Sequence, residues 1–152
     1  MDNVDLKAIK QLMKQARTTW AELGALLGLS APAAADRVHK LEVAGVIKGY
    51  SALVDPDAIG CGLAALISII IEDPDQRANL LRKVDELPEI QECHHVAGDV
   101  DYILKVRCAG TRDLERLISK EIKSLSGIKT RTMVILSTIK ETPILPLSLV
   151  KE

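Results

Sequence analysis

"ELGALLGLSAPAAADRVHKLE", residues 22–42, decides how this chain is built. Its first part carries Leu23, Leu26 and Leu27 at helical spacing and stops at Gly28, a residue that tolerates the left-handed backbone of a helix terminus. Thr19 and Glu22 stand in capping-box spacing at the start of that helix. After Gly28, Leu29 and Ser30 a further helix begins: Ser30 can cap it, and Pro32 fits its first turn because the early N–H groups lack intrahelical partners. It runs to about Ala44 and ends at Gly45. At about 100° per residue, Ala34, Val38 and Leu41 face inward, while Ala33, Arg37, Lys40 and Ala44 face out. Two helices joined by a three-residue turn containing Gly form the helix-turn-helix pattern, although a plain helical bundle has the same spacing. Small residues beside two cations favour DNA, since such a helix can approach a groove floor with Arg37 and Lys40 in reach of phosphates or base edges. The residues expected to meet double-stranded DNA are Ser30, Ala33, Arg37 and Lys40; Asp36, near the same face, would be repelled by phosphate.

On the amino-terminal side, Leu6, Ile9, Leu12 and Met13 form one stripe of an amphipathic helix from Asp5 to Ala16. Beyond Gly45, "GVIKGYSALVDP" reads as an extended segment, Val46 to Val54, stopped by Asp55 and Pro56. Residues 1–54 are therefore expected to form one domain, with a linker over 55–62. "GCGLAA", residues 60–65, matches a dinucleotide fingerprint only formally: that motif opens a helix after a strand, whereas here the β-branched run "LISIIIE" follows.

The second half, 63–152, alternates strands and helices. Leu63 to Ile71 predicts a buried strand, and Asp73, Pro74 and Gln76 open a helix carrying Leu80, Leu81, Val84 and Leu87 up to Pro88. Ile90 to Ala97 and Tyr102 to Cys108 predict strands around a turn at Gly98 to Val100. Gly110 and Thr111 open a helix with Leu114, Leu117, Ile118, Ile122 and Leu125, ending at Gly127, and Thr132 to Ile139 predicts the last strand. The order βαββαβ folds as a four-stranded antiparallel sheet with both helices on one face. The strands read as apolar on both sides, so the other face is expected to pair with a second copy; a homodimer would space two helix-turn-helix units for half-sites about 34 Å apart.

Composition narrows the function. A formal charge of −1, with 27% charged and 47% hydrophobic residues, describes a globular chain without a polybasic arm. No apolar run approaches the ~18 residues of a membrane span, and "MDNVDLKAIK" has no apolar signal region, so a cytoplasmic location without membrane partners is expected. Cys61, Cys93 and Cys108 read as reduced core thiols. "CHH" does not read as a metal site, because strand alternation points His94 away from Cys93 and His95. No P-loop, zinc-protease or nucleophile-elbow motif is present; no catalytic residue, metal or cofactor is expected. RNA-recognition modules share the βαββαβ order but need exposed aromatics, and "YILKVRC" offers only Tyr102.

"VAGDVDYILKV", residues 96–106, places Gly98, Asp99 and Asp101 where a plain hairpin or a small-ligand site would both use them. A free amino acid needs an acceptor for its ammonium and donors for its carboxylate, which Asp99 or Asp101 and the backbone beside Gly98 could supply.

Taken in order, "DLKAIKQLMKQART", "ELGALLGLS", "RVHKLEVAGVIKGY", "GDVDYILKV" and "TMVILSTIKE" resemble the Lrp/AsnC family of feast/famine transcription regulators over nearly the whole chain. The resemblance implies an α+β protein: a winged helix-turn-helix followed by a ferredoxin-like ligand-sensing (RAM) domain. It implies dimers assembling to octamers or larger discs, with an effector, usually an amino acid, bound between dimers. Gly98, Asp99 and Asp101 fall on the family's effector turn, and Thr132 matches a nearby family Thr. Val100 replaces an often aromatic residue there. Alternatives are an architectural DNA-binding protein with little sequence preference, and an amino-acid sensor with no DNA partner.

Overall fold

The computed structural model describes residues 1–147; residues 148–152, the end of the expected second domain, lie outside the described residues. Two compact units result: Met1–Ala52 together with the described tail, Lys140–Leu147, and Leu53–Ile139. The expected linker over 55–62 thus belongs to the second unit, and the tail groups with the first.

In the first unit α1 (Asn3–Lys14), α2 (Trp20–Leu27) and α3 (Ala31–Val43) each begin on a side-chain cap. Asp2 accepts from the Asp5 N–H and Asp5 from the Asp2 N–H, both at 2.8 Å. Thr19 accepts from the Glu22 N–H, and Ser30 Oγ from the Ala33 N–H at 3.3 Å. Such caps satisfy N–H groups that the helix leaves open, at about 1 kcal/mol each. Ala8, Leu12, Leu23, Ala34 and Val38 form the core between the helices. Gly28 ends α2 at φ 69°, and the Leu29 N–H turns back onto the Gly24 carbonyl at 2.9 Å. That return passes so close that a Cβ on Gly24 would lie 2.8 Å from the Leu29 oxygen. The turn between the two helices is therefore set by the absence of one side chain.

Val46–Val54 forms no strand. A strand needs a ladder partner, and among the described residues all four strands lie in the second unit, whereas the segment belongs to the first as far as Ala52. The segment is instead tied to α3 by the Tyr50 hydroxyl, which donates to Glu42 at 2.8 Å; burial and that carboxylate push the phenol up to about 12.

The second unit has β1 (Leu63–Ile71), a 3₁₀ turn (Pro74–Gln76), α4 (Arg77–Glu86), β2 (Ile90–His95), β3 (Tyr102–Cys108), α5 (Thr111–Arg116) and β4 (Ile128–Val134). The antiparallel sheet has the order β2-β3-β1-β4. Ala65, Ile67 and Ile69 of β1 and Tyr102, Leu104, Val106 and Cys108 of β3 pack with Leu80, Leu114, Leu117 and Ile122 in its core. Each fully buried Leu or Ile side chain contributes roughly 1.5–3 kcal/mol. After Arg116 the helix widens into a π turn, Leu117–Ile122, in which the Lys123 N–H reaches Ile118. On an α-helix Leu117 and Ile122 would stand about 140° apart; the wider turn lets both be buried.

The last strand is Ile128–Val134, not Thr132–Ile139. Its register runs from Ile128 opposite Ile71 to Val134 opposite Ala65, and after one more bond, Ile135 N–H to Ala64, β1 offers no further partner. Leu136 and Ile139 consequently stand almost fully exposed. The sheet face opposite the helices is also less apolar than expected. Register places Ala64, Leu66, Ser68 and Ile70 on it from β1, but Ile103, Lys105 and Arg107 from β3 and Lys129, Arg131 and Met133 from β4. Only β1 is apolar on both faces. Among the described residues no helix is long and apolar enough to cross a membrane.

Gly24→Ala should overpack the α2–α3 turn and cost about 1–3 kcal/mol, read as a lowered urea midpoint with an unchanged m value. An unaltered midpoint would show that the close approach does not constrain the fold.

Candidate functional site

Along α3, Ser30 is exposed at the cap, Ala33 and Lys40 are exposed, and Arg37 is half-buried, as the helical projection requires. Ala33, Arg37 and Lys40 border a shallow groove of about 470 Å³ whose wall also includes Met1, Asp5, Leu29, Asp36, Leu41, Ala44 and Val46. The cations do not stand alone in it. Arg37 folds onto the start of α1: one guanidinium nitrogen donates to both Asp2 oxygens at 2.9 and 2.8 Å and to Asp5 at 2.6 Å. Lys40 pairs with Asp36 one turn back at 2.7 Å. These contacts raise the Arg37 pKa, through hydrogen bonds to Asp2 and then Asp5. The Asp5 N–H, followed by Arg37, lowers the Asp2 carboxyl, and Lys40 lowers Asp36. Arg37, Asp2 and Asp36 are thereby held in their charged forms at neutral pH. The sequence reading missed Asp2 and Asp5, although their three-residue spacing before an apolar run is itself a capping signal.

The β2–β3 turn treats its two carboxylates differently. Asp101 is committed to the fold: its N–H donates to the Ile69 carbonyl at 2.9 Å, and its carboxylate accepts from the Ile71 N–H at 2.7 Å. Asp99 is exposed and makes no ion pair or hydrogen bond with a described residue. Gly98 holds φ at 147°, a backbone that L side chains rarely adopt. Thr132 does not join this group. It lies opposite Ile67 with β1 between it and β3, two strand spacings or about 10 Å away.

Beside the turn is a concavity of about 210 Å³ lined by Ile71, Pro74, Arg77, His95, Asp101 and Tyr102. Arg77 donates to the Tyr102 hydroxyl at 2.8 Å, and the His95 ring stacks on Tyr102 with centroids 4.9 Å apart. Hairpin register alone would have paired His95 with Tyr102. Arg77 carried no sequence signal, because its reach depends on how α4 packs. His94 lies opposite Ile103, on the sheet face away from Cys93 and His95. Burial pushes the Cys108 thiol up to about 11, that of a core residue.

Residues 1–42 match the AsnC-type helix-turn-helix domain, and residues 64–145 the Lrp/AsnC ligand binding domain. The pair defines a class: transcriptional regulators that join a DNA-binding helix-turn-helix to a ligand-binding domain, and not enzymes. The chain belongs to the Lrp/AsnC family. It is 36% identical over 138 residues to the HTH-type transcriptional regulator LrpA of Mycobacterium tuberculosis, covering 91% of each chain. It is 34% identical over 150 residues to the leucine-responsive regulatory protein of Haemophilus influenzae, covering 97% of this chain and 90% of that one. Its fold resembles a Neisseria meningitidis transcriptional regulator in complex with L-methionine, with a TM-score of 0.91 at 29% identity and 97% of each chain covered. A feast or famine regulatory protein of M. tuberculosis complexed with L-methionine gives 0.88 at 35% identity, covering 95% of this chain and 97% of that one.

Asp101→Ala leaves the Ile71 N–H without its partner and should cost about 1–3 kcal/mol in urea unfolding, whereas Asp99→Ala should stay within about 0.5 kcal/mol of the parent. Equal costs would contradict this division of roles.

Proposed function

We propose that this regulator binds double-stranded DNA through the outer face of α3, using Ser30, Ala33, Arg37 and Lys40, and responds to a free amino acid at the turn containing Gly98 and Asp99. The observation that carries the DNA reading is the face itself. It is capped by Ser30, opened by the small side chain of Ala33, and carries two cations beside a shallow groove. Both cations are held by carboxylates, and few groups on this face could read a base edge, which favours modest specificity supported by backbone contacts and DNA bending.

For the effector, Asp99 is the uncommitted acceptor that an ammonium group needs, and N–H groups beside Gly98 are open to a carboxylate because no Cβ covers them. The two L-methionine complexes among the solved relatives support an amino acid as the ligand class. Asp101 acts by holding the turn to β1, and Thr132 contributes only where a neighbouring subunit brings it to the turn. A second copy covers the open sheet face: Leu66, Ile70, Ile103 and Met133 supply an apolar centre, and the lysines and arginines of β3 and β4 its border. The resulting dimers associate further, to an octamer or a related ring, in the cytoplasm. Residues 1–54 serve DNA, and residues 63–152 serve the effector and assembly.

In fluorescence anisotropy with a promoter duplex, Lys40→Ala should weaken binding and reduce the salt slope by about one. An unchanged affinity and slope would remove α3 from the interface. In a thermal-shift screen of the L-amino acids, methionine first, a ligand at ~100 times its dissociation constant adds ~2.7 kcal/mol of apparent stability. Asp99→Asn should erase that shift without lowering the unliganded Tm; a retained shift would place the ammonium elsewhere.

A further inference from the structure

The outer face of α3 carries Arg37 and Lys40, but Asp2, Asp5 and Asp36 lie within 2.9 Å of those cations. With three carboxylates against two cations, the face that meets a polyanion is not itself positive. Arg37 is the more constrained of the two: a single guanidinium nitrogen serves three carboxylate oxygens supplied by two residues of another helix. Those residues are held in turn, because Asp2 and Asp5 also cap α1 through each other's N–H groups. A phosphodiester offers a guanidinium the same kind of partner, a pair of oxygens that share a negative charge.

We propose that Arg37 is a phosphodiester seat whose resident occupant is the Asp2–Asp5 carboxylate pair, and that DNA binds by displacing it. This rests on α3 meeting DNA as proposed above. The guanidinium exchanges one set of anionic oxygens for another, so the energy gained at that contact is only the difference between the two. Once released, the carboxylates remain beside the duplex and repel it. Asp2 and Asp5 therefore lower the affinity for DNA of any sequence, while the cap they share keeps them in place. Salt acts on both sides of the exchange. It weakens phosphate contacts and also loosens the internal ion pair, so the salt dependence is shallower than the number of cations on α3 implies.

The test uses the full chain and a 40-base-pair duplex of mixed sequence, titrated by anisotropy from low to moderate salt. The double variant Asp2→Asn with Asp5→Asn keeps the cap oxygens and removes both charges, since Asn caps about as well as Asp. It should keep its circular dichroism spectrum, bind roughly five- to tenfold more tightly at low salt, and show a slope steeper by about one. In an Arg37→Ala background the same pair of changes should give a clearly smaller gain, that of relieved repulsion alone, because the seat is gone. Unaltered affinity in the double variant would overturn the proposal. A gain of the same size in the Arg37→Ala background would overturn it too, by showing simple repulsion without exchange. If the parent fails to bind the duplex but the double variant binds, the displacement stands in its strongest form. If neither binds, contact between α3 and DNA falls, and the seat with it.

Discussion

β1 is the strand on which the second unit depends. It is hydrogen-bonded along both edges, to β3 from Leu63 to Ile69 and to β4 from Ala65 to Ile71, and it buries Ala65, Ile67 and Ile69 against the helices. Its apolar, β-branched sequence suits a strand covered on both faces, whereas β3 alternates apolar and charged residues and β4 sets Lys129 and Arg131 between Ile128, Thr130 and Thr132. The end of β1 also sets the turn between β2 and β3. Asp101 closes onto Ile69 and Ile71, so Gly98 and Asp99 project from a hairpin whose base is anchored to the central strand. A ligand contact built there rests on the most deeply packed part of the unit.

Electrostatics organises the first unit in a comparable way. Three helices that small capped sequences would form separately are joined by a core of five buried residues and by the Arg37 bridge from α3 to the start of α1. The bridge is exposed enough for solvent to screen it, so it is weak as a stabilising contact. Its importance is positional: it decides which way the only arginine of α3 points. A face that reads as cationic in projection is thereby neutralised before any partner arrives.

Asp99 and Asp101 show how two similar residues acquire different work. Nothing in "GDVDY" separates them, since both suit a turn and both can accept a hydrogen bond. The register of β3 against β1 separates them, because the residue just beyond the last rung, Ile69 opposite Tyr102, can satisfy the Ile71 N–H and the one two places earlier does not. Register likewise puts Thr132 beyond β1, so any role it has with the turn belongs to an assembly and not to one chain.

Local patterns were legible wherever the information was local. The caps at Thr19 and Ser30, the stop at Gly28, the inward set Ala34, Val38 and Leu41, and the βαββαβ order all follow from side-chain spacing along one element. The errors fall where a partner strand or helix decides. Thr132–Ile139 carries β-forming residues but runs past the end of β1, and Val46–Val54 lies as far as Ala52 in a unit that holds none of the four strands. The sequence by itself determined which helices and strands exist, which faces they bury, and the family they belong to, because periodicity and capping act within a few residues. Only the tertiary structure decided that Arg37 lies against Asp2 and Asp5, that Asp101 serves the sheet while Asp99 remains available, and where β4 stops. Each of those depends on an atom brought close from 30 or more residues away, a distance over which no sequence spacing reports contact.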